Sequence, residues 1–154
     1  MTSVCVVDGV TKENIKEEFV CTADREGKIR VTRMPPADLR TDIEGSGFDI
    51  QSFCFGHEGL VAKVVPSFSK NVIVSGGGDG TIRAWDCLTG KQISKIVKVS
   101  ESPVQDLCVM QNDEDENIIG FYLSSIDLES GESNTLLFDY SIDLCGEDLS
   151  LIHI

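Results

Sequence analysis

Apolar residues between positions 61 and 97 fall into short clusters separated by turn residues. Residues 61–65 and 72–74 are rich in β-branched side chains, which suits strands packed on both faces. Residues 66–71, from Pro66 to Asn71, supply a turn between them. Gly76-Gly77-Gly78-Asp79-Gly80 predicts a tight turn, because Asp-Gly readily takes the positive φ of a hairpin between right-twisted strands. Residues 81–85 alternate polar and apolar positions as a third strand. Leu88-Thr89-Gly90 turns again, and residues 92–97 make a fourth. Four short strands at this spacing predict one antiparallel sheet.

Gly56-His57 ahead of the first strand and Trp85-Asp86 at the end of the third complete a pattern that resembles one blade of a WD-repeat propeller. The resemblance implies an all-β fold and an interaction scaffold. It also implies that His57, Ser75, Asp79 and Trp85 occupy the positions of the structural tetrad of such blades. Ser, His and Asp together invite a hydrolase reading. Against it, the chain has no G-x-S-x-G elbow. Trp85, with a single N–H donor, suits a closed hydrogen-bond relay across a small sheet. The Gly-rich run lacks a G-K-[ST] ending and leads into a strand, so it does not read as a phosphate cradle.

Shifting the chain against itself by 53 positions places FVCTADREGKIRVTR over VIVSGGGDGTIRAWD without a gap. Gly27 then matches Gly80, Ile29 matches Ile82 and Arg30 matches Arg83. Thr22 stands over Ser75, Glu26 over Asp79, and Thr32 where the Trp would be. A degenerate blade therefore precedes the regular one, with strands expected near 3–7, 19–22, 28–33 and 50–55. The loop 34–49 is long, charged and punctuated by Pro and Gly, which predicts a mobile linker.

A third unit is expected from strands at 104–110, 118–124, 135–140 and 149–154, parted by acidic or Ser-Gly-rich turns. The chain then reads as about three four-stranded antiparallel blades, at about 1–55, 56–98 and 99–154. Closed propellers use about four to eight blades. The terminal blades of a three-blade unit would expose apolar faces, so the chain reads as the middle portion of a longer, incomplete propeller.

Charge narrows the function classes. Residues 1–100 hold thirteen Lys/Arg and thirteen Asp/Glu, whereas residues 101–154 hold thirteen Asp/Glu and no Lys or Arg. The net charge of −13 disfavours nucleic-acid binding by this chain alone, since phosphate neutralisation needs a basic face. Asp113-Glu114-Asp115-Glu116 lacks calcium-loop spacing and reads as a solvated loop. No run approaches a membrane span, and the N-terminus lacks a basic region followed by a long apolar core, so no secretory signal is expected. The six cysteines form no C-x-x-C pair and mostly accompany strand runs, as small hydrophobes in a reducing intracellular compartment would. With only His57 and His153, zinc is not expected.

One combination is more specific than the generic blade. Thr22-Ala23-Asp24-Arg25-Glu26-Gly27-Lys28-Ile29-Arg30-Val31, a Pro-containing linker, and Ile50-Gln51-Ser52-Phe53-Cys54-Phe55-Gly56-His57 follow in order. Over roughly 15–110 this resembles the non-catalytic subunit of tRNA (guanine-N7-)-methyltransferase. The resemblance implies a chain without catalytic residues or cofactor of its own. Its expected partner is a Rossmann-like catalytic subunit that binds S-adenosylmethionine, with tRNA engaged through the heterodimer and a nuclear location. Arg30 matches the family's partner-contacting basic residue, with Asp24, Arg25 and Lys28 beside it. Arg suits such a contact because its planar fork pairs bidentately with a carboxylate. Arg83 holds the same repeat position, so a basic residue is also simply tolerated there. A generic WD-repeat adaptor binding other proteins is the alternative.

Overall fold

The computed structural model describes residues 1–35, 49–99 and 101–109, together with the backbone of strands at 118–126, 133–141 and 151–153. Strands β1 (Ser3–Val10), β2 (Lys16–Ala23), β3 (Lys28–Arg33) and β4 (Ile50–Phe55) form one antiparallel sheet in chain order. Strands β5 (Val61–Pro66), β6 (Val72–Gly77), β7 (Thr81–Asp86) and β8 (Val97–Lys98) form a second in the same manner. A third sheet holds β9 (Ile118–Ile126), β10 (Ser133–Ser141) and β11 (Leu151–His153), with β10 in the middle. Among the described residues there is no helix.

The first hairpin is longer than the apolar pattern suggests. The charged run Lys16-Glu17-Glu18 conceals the start of β2, which pairs with β1 as far as Val10↔Lys16. The loop between them closes through Thr11 N–H to Ile15 O and Asn14 N–H to Thr11 O, both 2.9 Å. Asn14 takes φ 63°, a left-handed conformation that Asn tolerates better than most residues. Asn71, on the β5–β6 turn, then clamps this hairpin to the second sheet. Its Oδ1 accepts from Val10 N–H and its Nδ2 donates to Val10 O, both at 2.8 Å.

The main core lies between the two four-stranded sheets. The first sheet contributes Val7, Phe19, Cys21, Ala23, Ile29, Val31 and Cys54; the second contributes Val61, Val64, Ile73, Trp85 and Cys87. Alternation along β2 and β3 puts these residues on one face, so among the described residues the first sheet is buried on one side only. The second sheet is buried on both sides. Its other face packs Val72, Val74, Ile82 and Ala84 under Val104 and Leu107. Burying a side chain as large as Phe19 or Trp85 contributes about 1.5–3 kcal/mol each.

Three expectations need correction. Gly76 and Gly77 belong to β6, and the turn is confined to residues 78–80, with Gly80 at φ 70°. Residues 92–97 are not a continuous strand: Gln92 bridges Trp85, and pairing resumes only at Val97↔Ile82. The register slips between these points because Ser94 Oγ accepts the Ala84 N–H at 2.9 Å, replacing a ladder carbonyl. Residues 104–109 form no strand either. Their buried positions, Val104 and Leu107, are three apart rather than two, and Val104 N–H donates to Gly77 O at 3.0 Å as it caps the second sheet. Met110 and Asp113 to Glu116 lie outside the described residues, as does most of the 34–49 linker.

Candidate functional site

Two constellations occupy the first two sheets, one buried between them and one open to solvent. The buried one sits on the second sheet. Trp85 on β7 donates its Nε1–H to Ser75 Oγ on β6 at 2.7 Å, and that hydroxyl lies 2.7 Å from His57 Nε2. Trp85 can only donate, so Ser75 accepts from it and gives its own proton to Nε2. His57 therefore carries its proton on Nδ1, which points to Asp79 Oδ1 and Oδ2 at 3.1 and 3.2 Å.

The relay extends beyond the four residues read from the motif. Thr81 Oγ1 donates to Asp79 Oδ1 at 2.7 Å and accepts from Arg83 Nε at 3.2 Å. Arg83 also reaches Asp79 Oδ2 at 3.5 Å and Gln92 Oε1 at 3.2 Å. Thr81 and Arg83 were absent from the sequence reading of the tetrad. Their signal was the period-2 alternation of β7, which places 81, 83 and 85 on one face.

Burial pushes the His57 imidazolium down, below the ordinary histidine range, and the neighbouring Asp79 only partly opposes this. Burial also penalises the Asp79 carboxylate, but hydrogen bonds from Glu58 N–H, Thr81 and His57 outweigh it and hold the group at about 2. The site is thus a neutral imidazole beside a fixed carboxylate. Gly77 makes room for it, since a Cβ there would stand 2.3 Å from His57 Nδ1.

Ser75, His57 and Asp79 share the connectivity of a nucleophilic triad, yet they cannot act as one. Ser75 is 0% exposed, and its oxygen is already capped by the Trp85 N–H. No substrate carbonyl can approach it. Among the described residues no group of His, Cys, Asp and Glu is arranged to hold a metal ion.

The second constellation is open to solvent. Asp24 to Gly27 form the β2–β3 turn. Asp24 Oδ1 accepts from Glu26 and Lys28 N–H at 2.9 and 3.0 Å, while Oδ2 lies 3.5 Å from Lys28 Nζ. The Lys28 N–H, foremost, holds the Asp24 carboxyl below its ordinary value. Gly27, at φ 81°, lets this turn close on the second sheet, where a Cβ would meet His57 O at 2.5 Å. Arg25 is exposed at the tip.

Arg30 lies in the middle of β3 on the uncovered face of the first sheet, between Thr22 on β2 and Phe53 on β4. Lys28 sits across from Phe55. The Phe53 and Phe55 rings stack with centroids 5.8 Å apart, and Phe55 is 66% exposed. Val4, Val6 and Ile50 extend this apolar face. The sequence reading missed the two aromatics as surface residues. Since Cys54 between them is buried, alternation in β4 sends Phe53 and Phe55 to the opposite face.

Comparison with known proteins decides the family. Residues 1–137 match the tRNA methyltransferase TRM82 WD40 domain. The chain belongs to this family. Its fold is accordingly an incomplete WD-repeat propeller, built of blade-like antiparallel sheets.

Several family relatives carry the name tRNA (guanine-N(7)-)-methyltransferase non-catalytic subunit. The Danio rerio protein wdr4 is 33% identical over 81 residues, covering 52% of this chain and 17% of the relative. The Aspergillus oryzae protein trm82 is 29% identical over 104 residues, covering 66% and 19%. The Mus musculus protein WDR4 is 38% identical over 79 residues, covering 50% and 16%. The chain therefore spans less than a fifth of the length of these relatives. Among solved structures, the computationally designed Ika4 protein aligns with TM-score 0.50 and 24% identity over 77% of this chain and 59% of its own. The designed Ika8 protein aligns with TM-score 0.53 and 15% identity over 96% and 59%. These two likenesses concern the fold alone.

Proposed function

We propose that this chain serves in the non-catalytic subunit of a tRNA (guanine-N7)-methyltransferase, where it binds and stabilises the catalytic subunit for formation of 7-methylguanosine. The family match over residues 1–137 carries this reading. In it the chain supplies blades at about 1–55, 56–98 and 99–154 and performs no chemistry. The catalytic partner holds S-adenosylmethionine, tRNA is engaged through the heterodimer, and the complex works in the nucleus.

Arg30 is the contact residue best suited to the role. It is exposed, it has no ion-pair partner among the described residues, and it is framed by apolar and aromatic side chains that lower the cost of desolvating it. Lys28 and Arg25 add positive charge along the same edge. Asp24 contributes indirectly, because its carboxylate already organises the turn that presents them. Co-expression of the tagged chain with the catalytic subunit tests the reading. A stable complex that methylates tRNA at guanine N7 supports it, and failure of the methyltransferase subunit to co-purify overturns it.

A further inference from the structure

Four cysteines converge on the layer between the first two sheets: Cys5 on β1, Cys21 on β2, Cys54 on β4 and Cys87 just after β7. All four are free thiols, and three of them are buried, whereas Cys5 is only partly so. Cys5 and Cys21 are direct register partners on neighbouring antiparallel strands. Directly opposed residues in such a pair have Cα atoms about 4.5–5.5 Å apart. A disulfide accepts Cα separations of about 4.4–6.8 Å. The ladder therefore already holds the two residues at bridging distance.

We propose that Cys5 and Cys21 are a peroxide-responsive thiol pair that closes into a cross-strand disulfide stapling β1 to β2. Cys21, its partner across the ladder, lowers the Cys5 thiol, while Cys5, then Cys87 and burial, raise the Cys21 thiol. Cys5 is thereby the better nucleophile and also the one solvent reaches. Cys54 and Cys87 are 0% exposed, and burial above all pushes Cys54 up to about 12, so neither competes as the first site of attack.

The steps balance with hydrogen peroxide as oxidant. Cys5 sulfur attacks one peroxide oxygen, an S–O bond forms, the O–O bond breaks, and the leaving hydroxide departs as water. Cys21 sulfur then attacks Cys5 sulfur. The S–S bond forms, the S–O bond breaks, and the Cys21 proton leaves with the hydroxyl as a second water. Two thiols lose two electrons and two protons, and the peroxide is reduced to two waters.

The test uses the full chain, reduced, freed of reductant, treated with hydrogen peroxide and blocked with N-ethylmaleimide. Trypsin cuts after Lys12, Lys16 and Arg25, so the two cysteines fall in separate peptides, 1–12 and 17–25. The expected product is these two peptides linked, lost on dithiothreitol treatment. Cys5→Ser abolishes the link, and Cys108→Ser, which removes an exposed thiol outside the pair, leaves it unchanged. Cys5 recovered as the maleimide adduct or the sulfinic acid with Cys21 reduced would overturn the proposal. So would a link between Cys21 and Cys87.

Discussion

Arg30 and Arg83 stand 53 residues apart at equivalent positions of adjacent sheets, yet one is exposed and the other is 7% exposed and locked into a buried relay. The difference lies in what covers each face. Arg83 lies on the face of the second sheet that packs against the first, held by Asp79, Thr81 and Gln92 of its own sheet. Arg30 points away from the core, beside Phe53. We expect Arg83→Ala to destabilise the fold by about 1.5–3 kcal/mol, the range for losing hydrogen bonds to a charged group, and Arg30→Ala to change it by less than about 0.5 kcal/mol. Urea midpoints of the two variants check this directly.

Ser75→Ala removes the acceptor of the Trp85 N–H and the donor to His57 Nε2 together. Each buried polar group left unpaired costs about 1–3 kcal/mol. The expected loss should appear in denaturant unfolding, accompanied by a shift in Trp85 fluorescence in the native state, since this is the only tryptophan.

His57 gives stability a pH dependence of known sign. Its folded pKa is depressed, so the unfolded chain binds the proton first as pH falls. The contribution of the neutral imidazole is complete above about pH 6.5, the unfolded histidine value, and is lost as pH falls toward the folded pKa. Asp79 acts in a separate window, present above its unfolded value and lost as pH falls through about 2. The urea midpoint should therefore drop between pH 7 and pH 5.5, and His57→Gln should flatten that drop.

Asn71→Gly separates tether from backbone strain. Asn71 takes φ 63°, which glycine adopts freely, so only the two hydrogen bonds to Val10 are lost. We expect the β1–β2 hairpin to loosen, with amide exchange at Val10 accelerated at least tenfold.

Periodicity and the 53-residue offset located seven strands of the first two sheets, because those strands bury either an alternating set of side chains, as in β2 and β3, or a short continuous apolar run, as in β6. The same patterns failed where burial follows neither form. At 104–109 the chain lies over the second sheet with contacts three residues apart, which a strand template cannot represent. At 92–97 a side-chain hydroxyl, Ser94, substitutes for a backbone acceptor, and no local residue preference reports that. The tetrad was legible because its four residues are fixed by motif. Thr81 and Arg83 join it through three-dimensional proximity around Asp79. The exposed Phe53 and Phe55 were not singled out for a simpler reason: an aromatic residue in a strand signals a surface only where the face it occupies is known to be open.

In the proposed function, the face carrying Arg30 docks the catalytic subunit while the face carrying Arg83 is architecture. Isothermal titration of the catalytic subunit into the wild-type chain and into Arg30→Glu tests it most directly. At least a tenfold weaker Kd is expected for Arg30→Glu, with the urea midpoint unchanged. Equal affinity for the two chains would contradict it.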